Sequence, residues 1–296
     1  MMSIGSAPPA ADAADYYGKD NYYVDDDPER VEGEWFGAGA KALGLTGKVD
    51  LKQFEEVLAG RLPNGVTLGK KQGGERVHHP GEDLTFSMPK SAALLATVGG
   101  DKRILDAYKR SVKQTLTYIE KNYVETRIKR KGTMRREKTG SMVAALFQHD
   151  TSRNLDPQPH IHAVVANATQ SADGKWRSVY NPPLWTNAKL FTQIQSAYFA
   201  KELTALGYGV EWKKAAGHLE VKDFPREVIE HFSTRQRDIQ RVFATLDNKT
   251  HHARDMVALK TRPSKTKIAR EELSAEWAAR AARHGVDPTP DIDSAR

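Results

Sequence analysis

The chain of 296 residues contains no cysteine. That excludes disulfides, thiolate zinc sites and iron–sulfur clusters, and it fits a reducing compartment. No apolar run approaches the ~18 residues that a membrane-spanning helix needs. Nothing near the start joins a charged segment to an apolar core, as a secretory signal does. The expectation is a cytoplasmic protein without membrane insertion. Internal repeats and low-complexity blocks are also lacking, so solenoids and arrays are excluded. Acid is in short supply: 38 Asp and Glu face 45 Lys and Arg, giving a net charge of +7 and a pI near 9.3. A chain of this length buries a large core, and its charge favours an acidic polymer as partner.

The basic excess is uneven. Residues 126–140 hold Arg127, Lys129, Arg130, Lys131, Arg135, Arg136 and Lys138 against one acid, Glu137. Such a run reads as a basic loop, solvated or in contact with a phosphate backbone.

Two of the ten histidines stand as His160-Ile161-His162 in an apolar, strand-like run. Side chains alternate faces along a strand, so both imidazoles point one way. The preceding strand-like run, Val143-Ala144-Ala145-Leu146-Phe147-Gln148-His149, ends in a third histidine. If the two runs pair through the polar loop at residues 150–159, His149 arrives beside His160. Three imidazoles without a thiolate or carboxylate suit a divalent metal with room for a substrate. A structural zinc site usually closes with four ligands, often cysteines.

Tyr16, Tyr17, Tyr22 and Tyr23 place four of the ten tyrosines within eight residues. Their neighbours are Asp15, Gly18, Lys19, Asp20 and Asn21, not the apolar residues that surround packing tyrosines. They read either as a wet aromatic patch or as phenolic nucleophiles, which need a nearby cation or base to ionise.

Along the chain, a short strand opens the sequence and a small-residue helix from about Pro9 carries the first tyrosines. Residues 33–80 look irregular, with a short helix between Asp50 as N-cap and Gly60 as stop. Residues 82–87 alternate as a strand, with Leu84 and Phe86 on one face and Asp83, Thr85 and Ser87 on the other. Pro89 suits the first turn of a helix that Gly99-Gly100 ends. Asp101 then caps a long helix whose stripe Leu105, Tyr108, Val112, Leu116 and Ile119 is core. After the histidine strands come an edge strand near Trp176 and a helix over residues 186–206. A hairpin over residues 210–221 follows, and the chain is helical from about residue 225. The fold class expected is α+β: a mainly antiparallel sheet bears the three histidines, with helices on its back.

These motifs carry a resemblance. The chain resembles the relaxase domain of conjugative transfer proteins of the TraI/TrwC type, within the HUH endonucleases. The matching elements are the paired tyrosines, Asp83-Leu84-Thr85-Phe86-Ser87-Met88-Pro89-Lys90-Ser91, and His149-Asp150-Thr151-Ser152-Arg153 followed by His160-Ile161-His162. Weaker similarity covers Gly39 to Leu45 and the stretch from Lys265 to Trp277. Met88, where a small residue is expected, and the basic segment near residue 130 depart from the pattern.

The resemblance implies a catalytic core over residues 1–224 and helical fingers over residues 225–296. It implies site- and strand-specific nicking and rejoining of DNA at a plasmid transfer origin in the bacterial cytoplasm. Tyr16, by its place in the motif, attacks a phosphate held at a divalent ion on His149, His160 and His162. The products are a 5′-phosphotyrosyl enzyme and a free 3′-hydroxyl. Mg²⁺ or Mn²⁺ is the expected cellular ion, and Zn²⁺ the softer alternative. Asp83 orients a ligand histidine or takes the phenolic proton. Arg153 touches phosphate, as does the basic segment. Tyr17 is the other catalytic phenol of the leading pair, to which the attack would pass if Tyr16 were not the nucleophile. The second pair, Tyr22-Tyr23, supplies a phenol for a later strand transfer. Partners implied are single-stranded DNA, a DNA hairpin at the transfer origin, and accessory transfer and secretion proteins, around a monomer. Two rivals remain at this point. One is a rolling-circle initiator or transposase with the same site, and the other is a non-enzymatic single-stranded DNA-binding module with a structural metal.

Overall fold

The computed structural model describes residues 1–18, 33–213, 218–261 and 268–283. The chain opens with strand β1 (Met2–Ser6), helix α1 (Ala10–Tyr17), strand β2 (Glu34–Phe36) and helices α2 (Ala38–Ala42) and α3 (Leu51–Leu58). A small hairpin, β3 (Lys70–Gln72) and β4 (Glu75–Val77), leads to β5 (Gly81–Ser87), α4 (Lys90–Thr97) and the long α5 (Arg103–Tyr123). Two hairpins follow: β6 (Glu125–Arg130) with β7 (Thr133–Lys138), then β8 (Ala144–Thr151) with β9 (Pro157–Ala166). Next come β10 (Thr169–Gln170), β11 (Trp176–Arg177), α6 (Pro182–Thr186), α7 (Ala188–Ala205), β12 (Val210–Lys213) and β13 (His218–Val221). Helices α8 (Arg226–His231), α9 (Thr234–Ala244), α10 (His251–Lys260) and α11 (Arg270–Ala282) complete the described chain.

The central sheet has five strands in the order β1-β5-β9-β8-β2. Every pairing is antiparallel. β9 is the middle strand, and both of its faces are buried over its second half. On the back face, Met2, Leu84, Phe86, Ala144, Leu146, Ile161 and Ala163 pack against α4, α5 and α7 in one apolar cluster. Met88 belongs to that cluster at 2% exposure, so the larger side chain is accommodated as core. On the front face, Ala145, Phe147, Val164 and Ala166 pack with Ala13, Tyr17, Trp35, Phe54 and Leu58. Helices α1 and α3 thus cover only one end of the front face. The other end is left for the histidines.

Local signals explain the elements that position the site. Asp50 caps α3 by accepting from Gln53 N at 2.8 Å, an interaction of about 1 kcal/mol. Gly18 closes α1 in helical geometry, and a Cβ there would meet the Leu51 side chain at 2.6 Å. Its role is close packing of α1 on α3. Asp101 accepts from Arg103 N at 3.1 Å at the start of α5, with Lys102 as the N-cap residue. Pro89 sits one position earlier than expected, as the N-cap of α4.

Several expectations are corrected. The basic segment is a two-stranded ribbon, not a loop, turning at Lys131 (φ 49°) and Gly132 (φ 83°). Such a pair of left-handed residues makes the tight turn whose twist matches a hairpin. Trp176 lies in a separate two-stranded sheet with β10, not on an edge of the central sheet. The helix expected over residues 186–206 is present as α7, and the short helix α6 before it, ending at Asn187, was not expected. Residues 33–80, read as irregular, contribute β2 as an edge strand of the central sheet.

Candidate active site

The histidine strands pair as their spacing predicts: His149 lies opposite His160 in the β8–β9 register. Ring centroids are 5.4 Å apart for His149 and His160, 5.0 Å for His149 and His162, and 5.0 Å for His160 and His162. Each imidazole offers a ligand nitrogen, and all three lie within 4.8 Å of one another.

Protonation favours metal binding. Burial, helped by the neighbouring His162, pushes His160 down to about 4, so its imidazole is neutral at physiological pH. Its Nδ1–H donates to the Gln158 carbonyl at 2.8 Å, leaving the Nε2 lone pair for a ligand. His162 donates Nδ1–H to Asp83 Oδ2 at 2.8 Å, which fixes the same tautomer. A carboxylate behind a ligand histidine raises its basicity and locks its ring. The donor set and its tautomers therefore fit a metal ion.

Asp83 is shared. Its Oδ2 also accepts from the Tyr17 hydroxyl at 3.0 Å, and its Oδ1 accepts from Thr85 Oγ1 at 3.1 Å. Register explains the convergence, because Thr85 lies opposite His162 and Asp83 opposite Val164 on the same face. Nothing in the sequence marked Thr85 as a site residue except its place on the polar side of β5.

The two tyrosines of the first pair separate sharply. Consecutive helical residues diverge by about 100°, so one faces in and the other out. Tyr17 is 1% exposed and stacks on Phe147 at 5.6 Å and 18°. Burial and the adjacent Asp83 charge hold its hydroxyl far above the ordinary phenol range. Tyr16 is half-buried, edge-on to Tyr17 at 4.8 Å and to His162 at 6.1 Å. It lines the cleft. Tyr22 and Tyr23 lie outside the described residues.

That cleft measures about 970 Å³. Its floor holds Tyr16, Thr85, His149, His160 and His162, with Arg153 from the loop between β8 and β9. Across from them stand Arg235 and Ile239 of α9 and Ala258 and Leu259 of α10. Leu259 is 61% exposed. Sequence reasoning missed all four, since helical spacing says nothing about which core a surface residue will overhang.

The ribbon β6–β7 is a second cationic region. Lys129, Arg130, Lys131 and Arg135 are exposed. Arg127 and Arg136 are cross-strand partners, and both guanidiniums rest on the Tyr180 ring, at 5.3 Å and 5.6 Å. Opposed like charges destabilise a strand pair. Here the ring face and Glu125, 3.7 Å from Arg136, offset the repulsion.

Residues 10–284 match the TrwC relaxase family. The chain belongs to that family. The relaxase is 38% identical to the multifunctional conjugation protein TraI of Escherichia coli K12 over 297 aligned residues, covering 97% of the chain. It spans only 16% of the length of that relative. Among solved structures it superposes on metal-bound conjugative relaxase TrwC in complex with oriT DNA, with a TM-score of 0.86 and 36% identity. That match covers 97% of this chain and all of the other. TrwC complexed with a 27-mer DNA comprising the recognition hairpin and the cleavage site gives a TM-score of 0.86 at 34% identity, with the same coverage. Relaxase membership decides against the reading as a rolling-circle initiator or transposase. Among the described residues, no helix is long and apolar enough to cross a membrane.

Proposed function

We propose that this relaxase nicks and rejoins one strand of DNA at a plasmid transfer origin by tyrosine transesterification. The observation that carries the reading is the Tyr16 phenol lining the same cleft as three converging imidazoles. The DNA complexes of TrwC support transfer-origin DNA with a recognition hairpin and a cleavage site as substrate.

The residues divide the work. Arg153 and Arg235 line the cleft and draw in a phosphodiester. When bound at His149, His160 and His162, a divalent ion supplies positive charge that neutralises a scissile phosphate. Asp83 orients His162. Tyr17 and Thr85 in turn hold Asp83. The Tyr16 oxygen forms a bond to phosphorus as the bond to the 3′-oxygen breaks. The phenolic proton ends on that leaving oxygen. A 5′-phosphotyrosyl enzyme and a 3′-hydroxyl result, and the reverse reaction rejoins a strand because no phosphodiester energy is lost.

Abundance assigns Mg²⁺ or Mn²⁺ as the cellular ion. The all-imidazole set prefers Zn²⁺ in a competition. The ribbon holds duplex or single-strand phosphates, and helices α8 to α11 serve as fingers over the strand. Tyr22 and Tyr23 serve a second transfer. The protein acts as a cytoplasmic monomer and hands DNA to accessory transfer and secretion proteins.

The test is a denaturing gel of the relaxase incubated with single-stranded oligonucleotides tiling the transfer origin. Wild type should form a covalent adduct that chelator prevents. Tyr16→Phe should abolish the adduct and bind DNA nearly as well. No adduct with wild type would refute the reading. Robust adduct with Tyr16→Phe would pass the nucleophile's role to another phenol.

A further inference from the structure

The loop that joins the two histidine strands leaves the sheet. Residues 152–156 fold on themselves, with Ser152 N donating to the Asp156 carbonyl at 2.9 Å and Leu155 in left-handed geometry at φ 60°. The carboxy-terminal helices grip this loop from outside. Trp277 Nε1 of α11 donates to the Leu155 carbonyl at 2.8 Å, and Asn154 Nδ2 donates to Asp238 of α9 at 2.8 Å. Arg270 of α11 donates to Asp150, the neighbour of His149, at 2.7 Å. Leu155 packs on a cluster of Val228, Phe232, Leu273 and Trp277.

Asp156 is the centre of this joint. It is 1% exposed. Its Oδ2 accepts from Thr234 N at 2.8 Å and from Thr234 Oγ1 at 2.5 Å, and its Oδ1 accepts from Arg280 Nη2 at 3.0 Å. Arg280 is itself seated on the Phe232 ring at 4.4 Å. Lys90 Nζ donates to the carbonyl of the next residue, Pro157, at 2.7 Å.

Thr234 is the first residue of α9, and that helix lacks a side-chain cap of its own. Ser233, in the N-cap position, turns its hydroxyl back to the Ile229 carbonyl at 2.6 Å, and the first turn of α9 contains no acid. The positive end of the helix therefore takes its anion from another element, the loop at the root of β9. The very next residue, Arg235, projects into the cleft and ties α9 to α10 by donating to Thr261 O at 2.7 Å. Asp156 thus sits four residues before His160 and directly under the start of the roof helix.

We propose that Asp156 is a positioning residue that sets the height and angle of the α9–α10 roof over the histidine cluster, by capping α9 from the histidine hairpin. The histidines themselves are placed by β5, β8 and β9, so the joint governs strand capture and not assembly of the imidazoles. The inference rests on the reading of the cleft as a seat for single-stranded DNA.

The experiment compares wild type, Asp156→Ala and Asp156→Asn. Three measurements are made on each: hydrogen exchange of α9 amides without DNA, the cobalt spectrum at the histidines, and anisotropy with a fluorescein-labelled mixed-sequence single-stranded oligonucleotide in chelator. Asp156→Ala should speed exchange at the start of α9, leave the cobalt spectrum unchanged, and weaken oligonucleotide binding about tenfold. Asp156→Asn keeps an acceptor for Thr234 N and should recover most of the affinity. A role in stability alone would lower the melting temperature of both variants and leave the affinity of the folded fraction at the wild-type value, which overturns the proposal. Loss of the cobalt spectrum in either variant also overturns it, because the joint would then build the imidazole cluster. Failure of wild type to bind the oligonucleotide would refute the cleft reading instead, and the exchange data would still report on the cap. If Asp156→Ala does not fold, Thr234→Val removes the hydroxyl donor and should give a smaller loss in the same direction. Wild-type exchange and affinity in that variant would contradict the proposal.

Discussion

Two antiparallel hairpins follow each other in this chain, and they are opposites. The β8–β9 hairpin is the middle of the central sheet, apolar on both faces over residues 144–147 and 163–166, and it presents His149, His160 and His162 toward its polar end. The β6–β7 hairpin is a separate ribbon outside the central sheet, exposed over residues 129–136 and dense in Arg and Lys. A buried hairpin can hold three imidazoles in fixed relation, because close packing on either side leaves its backbone little freedom. An exposed ribbon cannot do that, but it can reach a polyanion and adapt to it. Geometry suited to bond-making and charge suited to gripping are thus assigned to different hairpins. Changes in one should leave the other's function standing.

The largest expected effect removes a ligand. His160→Ala should cut adduct formation by about a thousandfold, with oligonucleotide affinity and the cooperative melting transition retained. Chelator should act likewise. If chelator unfolded the protein, the metal would be structural and the buried hairpin would owe its order to the ion, since the binding energy of a structural metal is folding energy.

A smaller effect tests the support behind the ligands. Tyr17→Phe removes only the hydroxyl that donates to Asp83, so the ring packing on Phe147 survives. Removing a partner behind a ligand commonly costs about 10–100-fold, and a rate loss of about tenfold is expected here. A loss as large as that of Tyr16→Phe would mean that Tyr17 itself attacks.

The smallest effect is on stability in acid. His160 is held at about 4 in the fold, against about 6.5 when unfolded. Between those values the unfolded chain binds the extra proton. The contribution to stability is therefore complete above about pH 6.5 and declines as pH falls toward 4. Thermal melts of the metal-free protein should show that decline, and His160→Gln should flatten it. A melting temperature constant across that window would contradict the assignment.

The same contrast explains what the sequence made legible. The β8–β9 pairing could be read because burial writes an alternating pattern, and a one-residue slip would turn His160 and His162 to the back face. The polar side of β5 could be read for the same reason, which brought Asp83 to notice. The ribbon reads as a loop in the sequence because its strands bury almost nothing. Thr126, Ile128 and Met134 are too few for a period-2 signal, and Lys131-Gly132 is a weak turn signature beside Asn-Gly. The edge strand β2 is only three residues long and carries no period at all. Residues that act across the fold were out of reach. The division between Tyr16 and Tyr17 depends on which side of α1 meets Phe147. The places of Arg235 and Asp156 depend on how α9 meets a loop 78 residues earlier in the chain.

The separation of chemistry from grip is tested most directly by neutralising the ribbon. Lys129, Lys131 and Arg135 are replaced together by Gln, and DNA affinity is measured across a salt series beside the adduct rate at saturating DNA. Each phosphate that the variant no longer neutralises should lower the log–log salt slope by about 0.7 for single-stranded DNA. The account predicts a shallower slope and weaker binding, with the saturated adduct rate close to that of wild type. An unchanged slope, or a collapse of the saturated rate, would contradict it.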